Sequence, residues 1–130
     1  MRLVEVLPWL GGFALAGTML WLARQPGPPG PRAWRVPAGL ALAFLGFSLA
    51  AVLAEGPLGF WPEHTRNLWG NQIWFDLLLA AGVAWALMLP RARAAGMRPL
   101  PWLPLILGTG SIGLLAMLAR LLQLEARARG

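Results

Sequence analysis

The sequence has no cysteine, no lysine and no tyrosine, and charged residues of any kind are scarce. Without cysteine there is no disulfide, no zinc–thiolate site, no iron–sulfur cluster and no covalent thioether attachment of haem. Without lysine there is no Walker-type phosphate lysine and no Schiff base. Only 12% of the 130 residues are charged, whereas 58% are hydrophobic, which is far from the composition of a soluble domain. The composition therefore indicates a membrane protein.

The hydrophobic residues fall into four blocks, each close to the roughly 20 residues that a helix needs to cross a bilayer. We predict a single all-α domain over residues 1–130, an integral membrane protein with four transmembrane helices in an antiparallel bundle. The predicted spans are 3–22, 38–54, 72–89 and 102–122. A stretch at 56–70 mixes aromatic and charged residues, and we predict that it lies in the membrane interface between helices two and three.

Span one lacks the basic start and the small-residue cleavage site of a signal peptide, so it is predicted to be retained. The stretch from Arg24 to Pro37 is rich in proline and glycine and cannot continue a helix. Pro90 is predicted to end span three.

One carboxylate, Asp76, lies about a turn inside the third apolar block. An isolated charge in an apolar environment is costly, so the chain should supply a partner. If spans three and four are antiparallel neighbours, the start of one lies level with the end of the other. Arg120, near the end of span four, is the one arginine inside a predicted span. We therefore predict an intramembrane ion pair between Asp76 and Arg120. The pair either fixes the register and handedness of the hairpin of spans three and four, or it forms a proton-relay or anion-binding site.

Small residues follow Asp76 and precede Arg120 at helical spacing, and they predict a tight seam between spans three and four. The helix-packing residues of this seam are Ala80, Ala84, Thr109, Gly113 and Ala116. The run G-T-G-S-I-G at Gly108–Gly113 has the glycines of a phosphate cradle but no preceding strand and no lysine. Helix packing is the interpretation that it favours.

His64 is the single histidine, and it lies in the interfacial segment near Trp61 and Trp69. One histidine cannot provide bis-histidine haem ligation, although it could be the one axial ligand of a chlorophyll-type magnesium. A solvated interfacial histidine is the simpler interpretation. The three residues are candidate contacts for a bound lipid, carotenoid, quinone or chlorophyll-type pigment. No protein metal site and no catalytic constellation is predicted.

The second half of the chain resembles a family of small bacterial inner-membrane proteins known as a domain of unknown function. The resemblance covers Asn71–Glu125 and rests on N-x-x-W-x-D-L at Asn71–Leu77, R-A-R-A-A-G-M at Arg91–Met97, and the A-R that ends with Arg120. It implies Asp76 and Arg120 as signature positions, and it implies the bacterial inner membrane as the location. It implies a fold but no activity.

All eleven cations are arginine, and the formal net charge is +6. Arginines in short loops beside apolar spans favour anionic lipid headgroups over nucleic acid. The two loops that follow spans one and three hold six of them and the opposite side four, which favours a non-cytoplasmic position for both termini.

Two function classes fit these features. The first is an accessory subunit of a larger energy-converting or pigment-containing membrane complex, because polar residues inside the spans are few and glycine-rich faces suit helix contacts. Its partners would be lipids and other membrane subunits, or further copies of the chain. The alternative is a small proton-coupled transporter or a membrane enzyme acting on a lipophilic substrate, with Asp76 or Glu5 as the titrating group.

Overall fold

The computed structural model describes residues 2–130, and every regular element among them is a helix. The helices are α1 (Leu3–Ala23), α2 (Arg35–Glu55), α3 (Phe60–Thr65), α4 (Leu68–Ala94), α5 (Trp102–Thr109) and α6 (Ser111–Arg129). Three of them, α1, α2 and α4, are long and apolar enough to cross a membrane. The all-helical prediction is confirmed, while the count of four spanning helices is not.

The predicted fourth span is divided into two helices at Gly110. This glycine has φ +60° and ψ −119°, which a side chain would disfavour. Beyond it, α6 folds back against α5. Residues seven apart in one helix lie about 10 Å apart, yet a Cβ placed on Gly113 would lie 2.8 Å from Cα of Ile106. The chain thus forms a helical hairpin where the sequence predicts one continuous helix.

Helix α4 does not end at Pro90 as predicted but continues to Ala94. It ends in a Schellman motif. The N–H of Met97 donates to the carbonyl of Ala92 at 2.8 Å, and the N–H of Gly96 donates to Arg93 at 3.1 Å. Gly96 has φ +73°, the left-handed conformation that this motif places on glycine. The motif brings Met97 onto Ala92, and both side chains join the core.

The core is small and lies where α4, α5 and α6 meet. Its buried members are Met88, Ala92, Met97, Ile106, Met117 and Leu121, and Trp85 and Trp102 pack against them. Helix α6 also packs along α2, where Pro37 and Ala41 are buried. The C-terminal half of the chain therefore holds the fold together.

Helix α1 stands apart from this core. Within residues 2–130, no Cα of α1 lies within 8 Å of a Cα of another helix, and α1 has no buried residue. The described chain exposes 9988 Å², whereas a compact soluble monomer of 14.1 kDa would expose about 6,700 Å². This open shape leaves most of the apolar surface for lipid or for other proteins.

Candidate functional site

The structure does not form the predicted Asp76–Arg120 pair. The salt bridges among residues 2–130 are Glu63–Arg66 and Arg91–Glu125. The Asp76 side chain is exposed on α4, and the Arg120 guanidinium bonds the Gln123 side-chain oxygen, one turn further along α6, at 3.3 Å. The predicted pair required span four to run antiparallel to span three. Because the chain reverses at Gly110, α6 instead runs in the same direction as α4.

The separation of the two residues follows from the pair that does form. Arg91 and Glu125 bring the last turns of α4 and α6 together. At a rise of 1.5 Å per residue, Asp76 lies about 22 Å before Arg91 along the axis of α4, and Arg120 lies only about 7 Å before Glu125 along the axis of α6. About 15 Å along the helices thus separates the carboxylate from the guanidinium, which is too far for an ion pair.

The five predicted packing residues do not form one seam. The structure places Gly113 in close contact with α5 rather than α4. Thr109 lies at the reversal, where its hydroxyl donates to the Leu105 carbonyl at 2.6 Å and accepts the Gly113 N–H at 3.0 Å. Ala80 is exposed, and Ala84 and Ala116 are half-buried. The glycine-rich run thus serves a turn between two helices, because only glycine fits both the backbone angles and the close approach.

An aromatic cluster forms where α3 packs on α4. The His64 ring lies 4.8 Å from the Trp74 ring, and Phe60 and Trp61 flank Trp74 at 6.1 and 6.3 Å. His64 and Trp61 were predicted from the sequence, but Trp74, ten residues after His64, was missed. Trp69, the third predicted contact, is 74% exposed and is not part of this cluster.

The local chain geometry fixes this cluster. The Asn67 side chain caps α4 by accepting the Gly70 N–H at 2.8 Å, and the Asn71 amide donates to the His64 carbonyl at 2.7 Å. A Cβ on Gly70 would collide with the Glu63 carbonyl, so glycine is needed where α3 crosses α4.

Glu5, the second candidate titrating group, caps a helix. Its carboxylate accepts the Arg2 backbone N–H at 3.0 Å at the start of α1. A carboxylate near a helix N-terminus is stabilised by the helix dipole.

The one bidentate ion pair among residues 2–130 joins residues that no sequence pattern connected. Arg91 Nε donates to Glu125 Oε1 at 2.9 Å, and Arg91 Nη2 donates to Oε2 at 2.8 Å. A second contact fixes the same end of α6, where Arg129 donates to the Pro29 carbonyl at 3.0 Å. The predicted four crossings placed Glu125 on the opposite side of the membrane from Arg91.

The reversal of α6 concentrates positive charge at one end of the molecule. We call this the basic end; it comprises residues 24–35, residues 91–101 and the last turns of α6. Nine arginines and one acidic side chain, that of Glu125, lie there, a net side-chain charge of +8. These arginines are Arg24, Arg32, Arg35, Arg91, Arg93, Arg98, Arg120, Arg127 and Arg129. The opposite end has Arg66 with Glu55, Glu63 and Asp76, a net charge of −2, and Arg2 and Glu5 at the start of α1 cancel.

Two open clefts lie at the basic end. One, of about 290 Å³, lies between Trp34 and the last turns of α6. The other, of about 350 Å³, lies between the α4–α5 connection and α6, and Arg98, Trp102 and Arg120 line it. Among residues 2–130, no group of histidines and carboxylates is placed to hold a metal ion, and no polar side chain is buried. The chemistry that this end offers is the binding of anions.

No protein-family model, no curated protein and no solved structure shows a significant match to this chain. The resemblance of residues 71–125 to a family of bacterial inner-membrane proteins therefore stays a prediction.

Proposed function

We propose that this chain is an accessory subunit of a larger membrane complex, to which it binds through α1. The observation that supports the proposal is that α1 contacts no other helix within the described residues 2–130. Lipid can cover such a helix, but α1 contributes no helix contacts to the packing of the described chain. An element of 21 residues without an internal packing role is well placed to bind another protein.

One face of α1 suits close helix contact. Gly12 and Ala16 are four residues apart and share a face, and a Cβ on Gly12 would meet nothing within 4 Å. Small residues at this spacing let two membrane helices approach until their backbones pack, which supplies association energy where no hydrophobic force acts between helices. We propose that a helix of another subunit occupies this face.

We further propose that the larger complex is energy-converting or contains pigment. The support is the aromatic cluster at His64 and Trp74, which provides ring surfaces and one imidazole at the end opposite the basic end. A transporter or an enzyme with Asp76 as its titrating group has less support, because Asp76 lines neither of the two clefts at the basic end.

Extraction of the tagged chain from its native membranes in mild detergent tests the accessory role. On a native gel, we expect the wild-type chain to migrate with a large complex, whose band is coloured if it holds pigment. In Gly12→Leu the added side chain should block the close approach, and the ratio of chain in the large complex to free chain should fall by about tenfold, which corresponds to about 1.4 kcal/mol.

Ala14→Leu is the matched control, because residue 14 lies on the opposite face of the same helix and receives the same side chain. It should leave the migration unchanged. A wild-type chain that migrates as a small, colourless oligomer would overturn the accessory role, and equal losses in both variants would overturn the assignment of the face.

We also propose a cytoplasmic C-terminus and a non-cytoplasmic N-terminus, in place of two non-cytoplasmic termini. Three helices are long and apolar enough to span a membrane, and three crossings would place the termini on opposite sides. The C-terminal turn of α6 shares the basic end with Pro29. Nine arginines at one end favour the cytoplasmic side for that end.

The absence of cysteine makes this orientation easy to test. We expect Leu58→Cys, in the turn before α3, to react with a membrane-impermeant maleimide added to intact spheroplasts. Ala128→Cys, near the C-terminus, should react only after the membrane is permeabilised. The reverse pattern, or labelling of both sites in intact spheroplasts, would contradict the proposed orientation.

A further inference from the structure

We propose that the cleft between the α4–α5 connection and α6 binds the phosphate headgroup of an anionic phospholipid. The cleft has a volume of about 350 Å³ and opens at the basic end. Arg98 reaches it from the connection and Arg120 from α6, while Trp102 and Leu124 supply apolar walls. This inference does not depend on the accessory role, because it concerns a different part of the chain.

The two arginines of the cleft have free donor capacity. Within residues 2–130, neither guanidinium forms a salt bridge, and the Arg120 side chain has one long hydrogen bond, 3.3 Å, to the Gln123 amide oxygen. A guanidinium carries five N–H donors in a planar fork that matches the oxygens of a phosphate. Two such groups on one cleft make a site for a phosphate anion.

The composition of the walls favours a lipid over free phosphate. Trp102 is half-buried and packs on the core cluster, and Leu124 packs on the same cluster from α6. Tryptophan prefers the level of the lipid headgroups, where its ring is apolar and its N–H can bond. A ligand with a phosphate head and apolar tails satisfies both the arginines and these walls.

The positive charge of the basic end also favours an anionic phospholipid as the ligand. An end of net charge +8, placed on the cytoplasmic side, faces the leaflet surface whose potential is negative. Glu125 is the one acidic side chain at this end, and Arg91 already binds it through two hydrogen bonds. It therefore does not compete strongly for Arg98 or Arg120.

Native mass spectrometry of the full chain in mild detergent tests the site. Phosphatidylglycerol and phosphatidylcholine with the same acyl chains are titrated in turn, and bound lipid is counted from the mass of the complex. We expect one phosphatidylglycerol to bind at least about tenfold more tightly than phosphatidylcholine. The double variant R98Q/R120Q should lose most of this preference.

The matched control is R24Q/R93Q, which removes two charges from the same end but none from the cleft. Its affinity for phosphatidylglycerol should fall by less than about threefold, since only the diffuse field is reduced. Equal losses in the two double variants would show general attraction without a site and would overturn the proposal, as would equal binding of both lipids.

Two further measurements separate a lipid site from a phosphate site and from a folding defect. Inorganic phosphate, added at the concentration that saturates the site with phosphatidylglycerol, should not displace the lipid; if it does, the cleft is a phosphate site and not a lipid site. R98Q alone changes an exposed residue of the α4–α5 connection that forms no side-chain hydrogen bond among residues 2–130, so the fold of this variant should be retained even where the double variant fails to fold. It should weaken phosphatidylglycerol binding by at least about threefold, and an unchanged affinity would overturn the proposal.

Discussion

Replacing Gly113 by alanine is expected to destabilise the chain by about 2 kcal/mol. The added Cβ would lie 2.8 Å from Cα and 2.9 Å from the backbone nitrogen of Ile106. These are backbone atoms of α5, so they cannot yield as a flexible side chain does. The α5–α6 hairpin must open, and the contacts of Ile106 with the core are weakened.

If residues 102–122 formed one continuous helix, Gly113→Ala would stabilise the chain instead of destabilising it. In a helix interior, alanine is more favourable than glycine by about 0.5–1 kcal/mol, because glycine loses more backbone entropy on folding. The substitution therefore distinguishes the hairpin from the single span that hydropathy predicts. Thermal unfolding in detergent, followed by near-ultraviolet circular dichroism, measures it, since Trp85 and Trp102 pack on the core.

Gly108→Ala is the matched control for this prediction. Gly108 lies in α5, two residues before the reversal at Gly110, and a Cβ there would meet nothing within 4 Å. We expect this variant to be unchanged or slightly more stable. If Gly113→Ala were as stable as Gly108→Ala, residues 102–122 would form one helix and the hairpin would be refuted.

Replacing Arg91 by glutamine is expected to cost about 1 kcal/mol of stability. The substitution removes both hydrogen bonds to Glu125 and leaves that carboxylate, whose side chain is 20% exposed, without its partner. Bidentate pairs are the strong class of ion pair. The Arg91 side chain is 46% exposed, however, so water screens part of the interaction.

A double-mutant cycle isolates the contribution of this pair. The single variants Arg91→Gln and Glu125→Gln are compared with the double variant, and we expect a coupling energy of about 1 kcal/mol in the unfolding free energy. Arg93→Gln is the matched control, because Arg93 lies two residues after Arg91 in the same helix and forms no salt bridge within residues 2–130. A coupling energy near zero would show that this pair does not stabilise the packing of α4 on α6.

The same pair predicts a dependence of stability on pH. The hydrogen bonds from Arg91 hold the pKa of the Glu125 carboxyl below its ordinary value of about 4.5, and partial burial opposes this shift only in part. A carboxyl whose folded-state pKa is lowered stabilises the fold fully above its unfolded pKa. That contribution is lost as the pH falls below about 4.5 and through the folded-state pKa. Glu125→Gln should not show this loss.

Most helix positions could be predicted from the sequence, because they depend on local composition. Helix α1 (Leu3–Ala23) is the predicted span 3–22 with one residue added, and α3 lies within the segment 56–70 that was predicted to be interfacial. The predicted end of span three, at residue 89, was wrong, since α4 continues to Ala94. Proline removes one hydrogen bond, and the apolar side chains beyond Pro90 make core contacts that let α4 continue to the glycine of its Schellman motif.

The candidate site could not be predicted to the same degree. The arginines and their number are evident in the sequence, but the neighbours of Arg91, Arg98 and Arg120 depend on the direction of α6. The prediction rested on one assumption, that residues 102–122 cross the membrane. This assumption placed Arg120 beside Asp76, and it placed Glu125 on the opposite side of the membrane from Arg91. Hydropathy cannot correct this assumption, because α5 and the start of α6 are equally apolar whether the chain continues or reverses.

The sequence by itself determined that this is an all-helical chain with long apolar helices, because helix length, apolar content and proline–glycine breaks are local properties. The tertiary structure decided the path of residues 102–130. The glycines at 110 and 113 permit both a straight helix and a reversal, and only the packing of Ile106, Met117 and Leu121 into one core selects the reversal. That choice gathers nine arginines at one end, while α1 contacts no other helix among residues 2–130.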